Sequence, residues 1–433
     1  VATWRQADSS TYEKKVFDLR PALYGFADMK IALLHYTFWP DIGGVEQVMR
    51  DQAAMLQREG HEVKVISGTG SDSGDFYEVQ VLPELAPDFP LNAQVRAVLE
   101  RGQADQNFNR YRAVLIEVLQ KALADVDLTL VHNVFTMHHN LVLTRALHDL
   151  ATKHRLIAWT HDVAANNSDY ALPNPTQAPW KLMRMSHPQV AYVATSGLRA
   201  AEIQEHLAPE VAVEVIPNMV DPNRLFALTP ELRASYTSLD LPARDFIFLL
   251  PASALPRKNL DFPIAVVKQL WSEGRDPLLL ITGGSVPNNS SSKRYGDFLR
   301  QSLPEDLKGH VVFVSDFFPV TDEILRDLYL LSDCLFYPSR QEGFGLPIIE
   351  AASYRLPIWC QDVPAYQALA DEKGACLLTN LSKLPEAVAW LEDQATFRQQ
   401  RLSRRLFDPS VIYRDYFEPL LASFTEAAAT EHT

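Results

Sequence analysis

Long apolar runs are missing from this 433-residue sequence. The best candidate, Phe246-Ile247-Phe248-Leu249-Leu250, stops at Pro251, far short of the ~20 residues that cross a bilayer. Residues 1–28 are polar and mixed in charge, without the apolar stretch of a secretory leader, so no signal peptide is expected. Asn288-Asn289-Ser290 is then a chance match to a glycosylation sequence. Cysteine is scarce: Cys334, Cys360 and Cys376 are odd in number and widely spaced, which suits neither a disulfide framework nor a zinc pattern and fits a reducing cytoplasm. Positive charge is in short supply as well. The formal charge of −14 opposes a diffuse grip on nucleic acid or on an anionic membrane face. A dinucleotide fingerprint is also absent, because Gly68-Thr69-Gly70-Ser71-Asp72-Ser73-Gly74 misses the G-x-G-x-x-G spacing and precedes no clear helix.

What is present is the composition of a soluble globular chain, 47% hydrophobic and 22% charged, with length for two domains. After an extension of unassigned role at 1–28, a strand is expected at Lys30–His35. A loop with Gly43 and Gly44 follows, and then a helix in which Val45, Val48, Met49, Ala53 and Leu56 recur every three or four residues until Gly60. Further strands are expected at Glu62–Ser67, Leu128–His132, Leu156–Thr160 and Ala191–Thr195. Uninterrupted apolar strands alternating with helices mark a parallel sheet covered on both faces. One such α/β domain is placed at 29–225. A polar stretch at Thr229–Arg244 precedes a second series, with strands at Phe246–Pro251, Leu278–Thr282, Val311–Val314 and Cys334–Tyr337 and a helix near Leu260–Glu273, giving a second α/β domain at 226–410. The segment 411–433 carries a helical apolar stripe, Tyr413, Tyr416, Phe417, Leu420, Leu421 and Phe424, that suits either domain.

The densest chemistry lies just after the strand Cys334–Tyr337, in Ser339-Arg340-Gln341-Glu342-Gly343-Phe344-Gly345-Leu346-Pro347-Ile348-Ile349-Glu350-Ala351. Pro347 suits the first turn of a helix, so Gly343 to Gly345 form a loop that offers backbone N–H groups and a positive helix end, a ready site for phosphate. Glu342 in the loop and Glu350 about one turn into the helix add two carboxylates that accept hydroxyl hydrogen bonds. A second group, Pro256-Arg257-Lys258-Asn259, follows the strand Phe246–Pro251 and supplies two adjacent cations that can neutralise a diphosphate. Trp159-Thr160-His161-Asp162 ends another strand, where a parallel sheet opens onto its ligand crevice. His132, His138, His139 and His161 match no common metal-ligand spacing.

In these motifs the chain resembles glycosyltransferase family 4, over about Lys30 to Arg405. The resemblance rests on the two glutamates separated by seven residues in an EGFGLP setting, on Lys258 followed by Asn, on Gly43-Gly44-Val45-Glu46, on His161, and on Ile216-Pro217-Asn218-Met219-Val220-Asp221. It implies the GT-B fold, two Rossmann-like domains with parallel sheets facing an interdomain cleft. It also implies retaining transfer of a hexose from a nucleotide-sugar to an acceptor hydroxyl, without a metal or other cofactor. Glu342, His161 and Lys258 are implied as catalytic. Arg257, Gly343, Phe344, Gly345, Leu346, Glu350, Gly44, Asn218 and Phe317 are implied on the donor, with Asp316 beside Phe317 near the base, and Gly43 and Asp162 on the acceptor. The family's second basic residue would stand at position 253; Ser253 is there instead, with Arg257 as the candidate replacement. The acceptor is expected to be small and soluble, with a lipid-linked one as the alternative. Donor, sugar and oligomeric state stay open. Rival readings are a nucleotide-sugar epimerase on the same architecture and a non-catalytic nucleotide-sugar-binding protein.

Overall fold

The structure is a computed structural model that describes residues 29–40, 43–71, 77–99, 106–167, 170, 180–207, 209–284, 289–367 and 375–431. The extension at 1–28 and the loop residues Asp41 and Ile42 lie outside them.

The first lobe is built on β1 (Lys30–Thr37), β2 (Glu62–Thr69), β3 (Glu78–Val81), β4 (Leu128–His132), β5 (Leu156–Thr160), β6 (Val190–Ala194) and β7 (Val213–Val215). They form one sheet in the order β3-β2-β1-β4-β5-β6-β7, with every pair parallel. Parallel neighbours need crossovers, and helices supply most of them: α1 (Gly44–Arg58), α2 (Pro90–Leu99), α3 (Gln106–Ala122), α4 (Leu141–Leu150) and α5 (Gly197–His206). The two-residue period of a strand divides the core between the sheet's faces. Ala32 and Leu34 pack with Leu115, Leu119 and Leu147 on one face. Ile31 and Leu33 pack with Met49, Leu56 and Trp159 on the other.

The second lobe opens with α6 (Pro230–Ser238) and contains β8 (Phe246–Leu250), α7 (Asp261–Ser272), β9 (Pro277–Ile281), α8 (Ser290–Ser302), β10 (Val311–Phe313), α9 (Asp322–Leu331), β11 (Cys334–Tyr337), α10 (Leu346–Ser353), β12 (Ile358–Cys360), β13 (Ala375–Leu377), α11 (Leu384–Asp393) and α12 (Ala395–Phe407). Its sheet runs β10-β9-β8-β11-β12-β13, again with every pair parallel. Both sheets are therefore Rossmann-like. In each, the strand order reverses beside the lobe's first strand, between β1 and β4 and between β8 and β11. The carboxyl ends of those strands are where an open α/β sheet holds its ligand.

Two boundaries differ from those drawn from the sequence. Among the described residues the compact units are 29–220 with 409–431, and Asp221–Asp408, so the chain enters the second lobe at Asp221 rather than near residue 226. The reason is local. Asp221 caps the next turn by accepting from the Asn223 amide at 2.9 Å. The polar stretch Thr229–Arg244 contains α6, whose Leu232 and Tyr236 are buried in the second lobe's core, and Thr229 N–H donates to Asp327 at 2.7 Å. The C-terminal segment, which suited either domain, belongs to the first. Ile412, Phe417, Leu420 and Leu421 join the face that holds Met49 and Trp159, with the Phe417 ring stacked 5.1 Å from that of Trp159. Burying a side chain of this size contributes roughly 1.5–3 kcal/mol. The last helix, α13 (Glu418–Glu431), carries Leu420 and Leu421.

Candidate active site

In the second lobe the two loops that leave β8 and β11 are stitched together. Lys258 ends the tight turn Pro256–Lys258, and Asn259 follows it in the left-handed region with φ 57°. Asparagine tolerates that conformation, and here its Nδ2 donates to the Pro338 carbonyl at 3.1 Å. Arg340 N–H donates to the Arg257 carbonyl at 2.8 Å, and the Arg257 guanidinium returns to the Gln341 carbonyl at 3.1 Å. Residues 84 positions apart are thereby brought into contact: Lys258 Nζ donates to Glu342 Oε1 and to Tyr337 Oη at 2.9 Å. Tyr337 Oη in turn donates to Glu342 Oε1 at 3.1 Å, and Arg257 adds a second cation 3.6 Å from that oxygen.

The Lys258 and Glu342 side chains keep only 12% and 10% of their surface exposed. Burial pushes the Glu342 carboxyl up, but the hydrogen bond and charge of Lys258, together with Tyr337, outweigh it and hold the group below the ordinary carboxylate range. It is ionised at neutral pH. Two cations against one carboxylate leave this corner with one positive charge in excess.

Beside it starts α10. Gly345 stands before the helix with φ 97°, and a Cβ there would meet the Tyr366 ring at 3.0 Å, so both backbone and space favour glycine. No side chain caps this helix, and its first-turn N–H groups form a positive end suited to an anion. Phe344 and Leu346 flank that end and are more than half exposed. One turn inward, Glu350 accepts a hydrogen bond from Tyr329 Oη at 2.7 Å, and Tyr329 stacks on Tyr354. Phe317, in the turn after β10, is 60% exposed, whereas its neighbour Asp316 is gripped on both oxygens by Arg300 at 2.6 and 2.7 Å. Ser253, standing where the resemblance led one to expect a cation, lies in a close backbone crossing. A Cβ on Gly283 would meet Ala252 O at 2.3 Å and Ser253 Cα at 2.4 Å.

In the first lobe, contacts link the ends of β1, β4 and β5. Gly43 precedes α1, and Glu46 in the first turn accepts from Thr37 Oγ1 and lies 3.9 Å from His35. His35 Nδ1 meets the His132 carbonyl at 2.9 Å, and His132 Nδ1 meets His161 Nε2 at 3.0 Å. Asn133, left-handed at φ 60°, accepts from the amides of both His161 and Asp162, at 2.8 and 3.0 Å. The Asp162 side chain faces Arg199 at 3.4 Å. Asn218 is exposed on the segment after β7.

The sequence motifs thus resolve into two groups, Lys258, Arg257, Glu342 and the Gly343–Gly345 turn in the second lobe, and Gly43, His161 and Asp162 in the first. Tyr337, Tyr329, Asn133 and Gly283 were missed, since none stands in a motif. Among the described residues no three His, Cys, Asp or Glu side chains are grouped to hold a metal ion.

Burial drives the pKa of several first-lobe histidines down, with neighbouring charges adding to it. His161 falls to about 3, and His138 and His148 to about 4. Because these folded values lie below the unfolded value, the unfolded chain binds more protons once pH drops under ~6.5. Stability is therefore complete above that pH and declines as pH falls toward the folded values. Melting temperature is expected to fall between pH 7 and pH 5, and His148→Gln is expected to flatten part of that fall. A melting temperature flat over this range would contradict the assignment.

The doubly wound pair of sheets, with a cationic corner and an uncapped helix end at the switch point of the second, is an arrangement suited to a phosphate-bearing ligand. Profiles of Glycosyltransferase Family 4 and of Glycosyl transferases group 1 match residues 42–224 and 236–401. Together the two profiles cover most of the chain and support a glycosyltransferase of the family 4 type. It is 32% identical over 171 residues to the serotype-specific mannosyltransferase WbdA of Escherichia coli, a match covering 36% of this chain and 20% of that protein. The chain thus spans about a fifth of the length of the first curated relatives it matches. Mannosylglucosylglycerate synthase of Petrotoga mobilis is 23% identical over 368 residues, 78% of this chain and 84% of that one. Among solved structures, sucrose-phosphate synthase from Thermosynechococcus elongatus aligns at 18% identity with a TM-score of 0.36, over 92% of this chain and 100% of that one.

Tyr329→Phe removes the single hydroxyl that fixes Glu350 and leaves the ring stack intact. If Glu350 holds the donor's ribose, KM for the donor is expected to rise by about 3- to 10-fold with kcat nearly unchanged, the net value of one ordinary hydrogen bond. An unchanged KM would remove Glu350 from the donor site.

Proposed function

We propose that this chain transfers a hexose from a nucleotide-sugar to an acceptor hydroxyl with retention of anomeric configuration and without a metal. The observation that carries the reading is the convergence of Lys258, Arg257 and the uncapped end of α10 around Glu342, at the switch point of the second sheet.

Breaking a sugar–phosphate bond builds negative charge on the departing diphosphate and positive charge on the ring. Lys258, Arg257 and the α10 amides are fixed donors for that diphosphate, and in a site withdrawn from water such interactions exceed their strength in bulk solvent. Glu342 then positions the sugar and balances the ring's charge while Tyr337 holds its carboxylate. Glu350 accepts from the ribose hydroxyls, and Phe317 and Phe344 offer apolar surface to the base or sugar. His161, neutral because its pKa is far below 7, hydrogen-bonds a hydroxyl, with Asp162 and Gly43 on the acceptor side. Retention follows if the acceptor attacks on the leaving-group face and a phosphate oxygen takes its proton. The three free thiols, two of them buried, favour a reducing cytoplasm.

The names of two relatives, a mannosyltransferase and a mannosylglucosylglycerate synthase, make a mannosyl donor the first to try. The test is a panel of GDP-mannose, UDP-glucose, UDP-N-acetylglucosamine and ADP-glucose, read by binding calorimetry and by mass spectrometry of products formed with a cell extract. Anomeric configuration is read by proton NMR, and EDTA is added in a parallel series. No binding of any donor would sink the reading; activity abolished by EDTA and restored by a divalent ion would sink its metal-free form.

A further inference from the structure

The first lobe contains a pocket of about 320 Å³, open to solvent, lined by Arg112, Arg145, His148, Asp149, Thr152 and His187, among others. None of these residues belongs to the motifs or to the network around His161. Arg112 comes from α3, and Arg145, His148 and Asp149 come from the last two turns of α4. His187 precedes β6. The cavity is therefore at the amino ends of β5 and β6, while His161 and Asp162 follow the carboxyl end of β5. Five strand residues, at roughly 3.3 Å each, separate the two ends.

Its chemistry is that of an oxyanion site. Both guanidinium groups are pinned by one carboxylate: Arg112 Nε donates to Asp149 Oδ2, and an Arg145 terminal nitrogen lies 3.0 Å from Asp149 Oδ1. Each arginine carries five N–H donors, so a single contact to Asp149 orients the planar group and leaves most of its donors unspent. Two cations against one carboxylate leave a positive charge in excess on a chain whose total is −14. The imidazole of His187 lies 5.8 Å from that of His148. His148 is 94% buried, the complement of its 6% exposure, and its Nε2 has no hydrogen-bond partner. Buried polar atoms are seldom left so, and His148 is one of the residues that line the pocket.

We propose that this cavity binds a small phosphomonoester, with Arg112 and Arg145 as the paired donors to the phosphate and His187 and Thr152 completing its shell. Forked guanidinium donors match phosphate geometry bidentately. The volume exceeds what a bare phosphate fills and falls in the range of small-molecule sites, which suits a phosphorylated sugar or polyol. The site is separate from the donor corner in the second lobe and does not depend on how that corner is read.

Calorimetry of the full chain with glucose 6-phosphate, inorganic phosphate and glucose tests it. Glucose 6-phosphate is expected to bind most tightly, inorganic phosphate more weakly and glucose not at all. The double variant Arg112→Gln, Arg145→Gln is expected to weaken glucose 6-phosphate at least about tenfold, the value of one lost charge-assisted contact. Lys258→Ala, which disables the other phosphate-attracting corner, is expected to leave the affinity unchanged. Because removing two arginines from Asp149 could disturb folding, the wild-type chain supplies a second readout. The imidazole proton resonances of His148 and His187 are expected to shift as glucose 6-phosphate is added. No binding, histidine resonances that stay fixed, binding lost in Lys258→Ala, or binding retained by a folded double variant would each overturn the proposal.

Discussion

Lys258→Ala is expected to lower glycosyl transfer by about 10²–10³-fold or more, the loss seen when a fixed donor to developing negative charge is removed from a water-poor site. Two consequences of the geometry sharpen this. Lys258 is held in place before any donor arrives, by Tyr337 at 2.9 Å and by Glu342, so its contribution needs no reorganisation when the diphosphate departs. Its removal also leaves Glu342, still bonded by Tyr337 at 3.1 Å, with Arg257 at 3.6 Å as its neighbouring cation; the half-exposed guanidinium restores part of the charge but not the position. Lys258→Arg is therefore expected to recover little activity, since a planar fork does not reproduce a compact ammonium. Glu342→Ala is expected to be as damaging as Lys258→Ala, and the double variant scarcely worse than either, because groups that act as a unit are not additive. Circular dichroism matching the wild type, with initial rates measured at saturating donor, checks all four variants. Activity within about threefold of wild type in Lys258→Ala would remove the corner from the chemistry, since one transition-state contact of this kind exceeds that factor.

The two loops that meet at Lys258 and Glu342 were marked in the sequence, although 84 residues separate the pair and no direct contact between them was expected. In a doubly wound sheet the chain returns to the far side of its first strand only after running out to one edge, so the loops after the first and fourth strands become neighbours at the switch point. Apolar strands followed by cationic and glycine-rich loops reveal both loops. The long central strands were legible for the same reason: β4, β5 and β11 are continuous buried runs. Four short strands, β3, β7, β12 and β13, were not, although β10, just as short and at the edge of its sheet, was. In β3, Glu78 to Val81 alternates and is partly exposed, and β12 and β13 have three residues each, too few for a period to show. Tyr337 and Tyr329 were hidden differently. A tyrosine in an apolar strand or helix reads as core, and only the fold shows that each hydroxyl ends on a carboxylate. Nothing marked the cavity at Arg112, Arg145 and His148 either, because its residues come from two helices and a loop with no common spacing.

The largest stability effect is expected at Arg404, on α12. Its guanidinium clasps Asp333 with both terminal nitrogens, at 2.8 and 2.9 Å, and reaches the Arg244 carbonyl at 3.2 Å. The two side chains keep 8% and 0% of their surface exposed. Asp333 stands just before β11 and also accepts the Ile247 amide of β8 at 2.8 Å, so this ion pair fastens α12 to the amino end of the second sheet, away from the Lys258 corner. Arg404→Ala leaves a carboxylate buried without its counter-charge, and the expected loss is about 3–5 kcal/mol. Swapping both partners for apolar residues would not rescue it, because Asp333 is also the acceptor for Ile247 N–H, and a buried amide left unpaired costs about 1–3 kcal/mol. Arg404→Met with Asp333→Asn is the informative double variant. Asparagine keeps an oxygen for Ile247 while removing the stranded charge, so it is expected to recover more than half of the loss from Arg404→Met alone. Urea unfolding followed by tryptophan fluorescence measures each step. A loss below about 1 kcal/mol for Arg404→Ala, the range of exposed pairs, would show that this contact is not the fastening described.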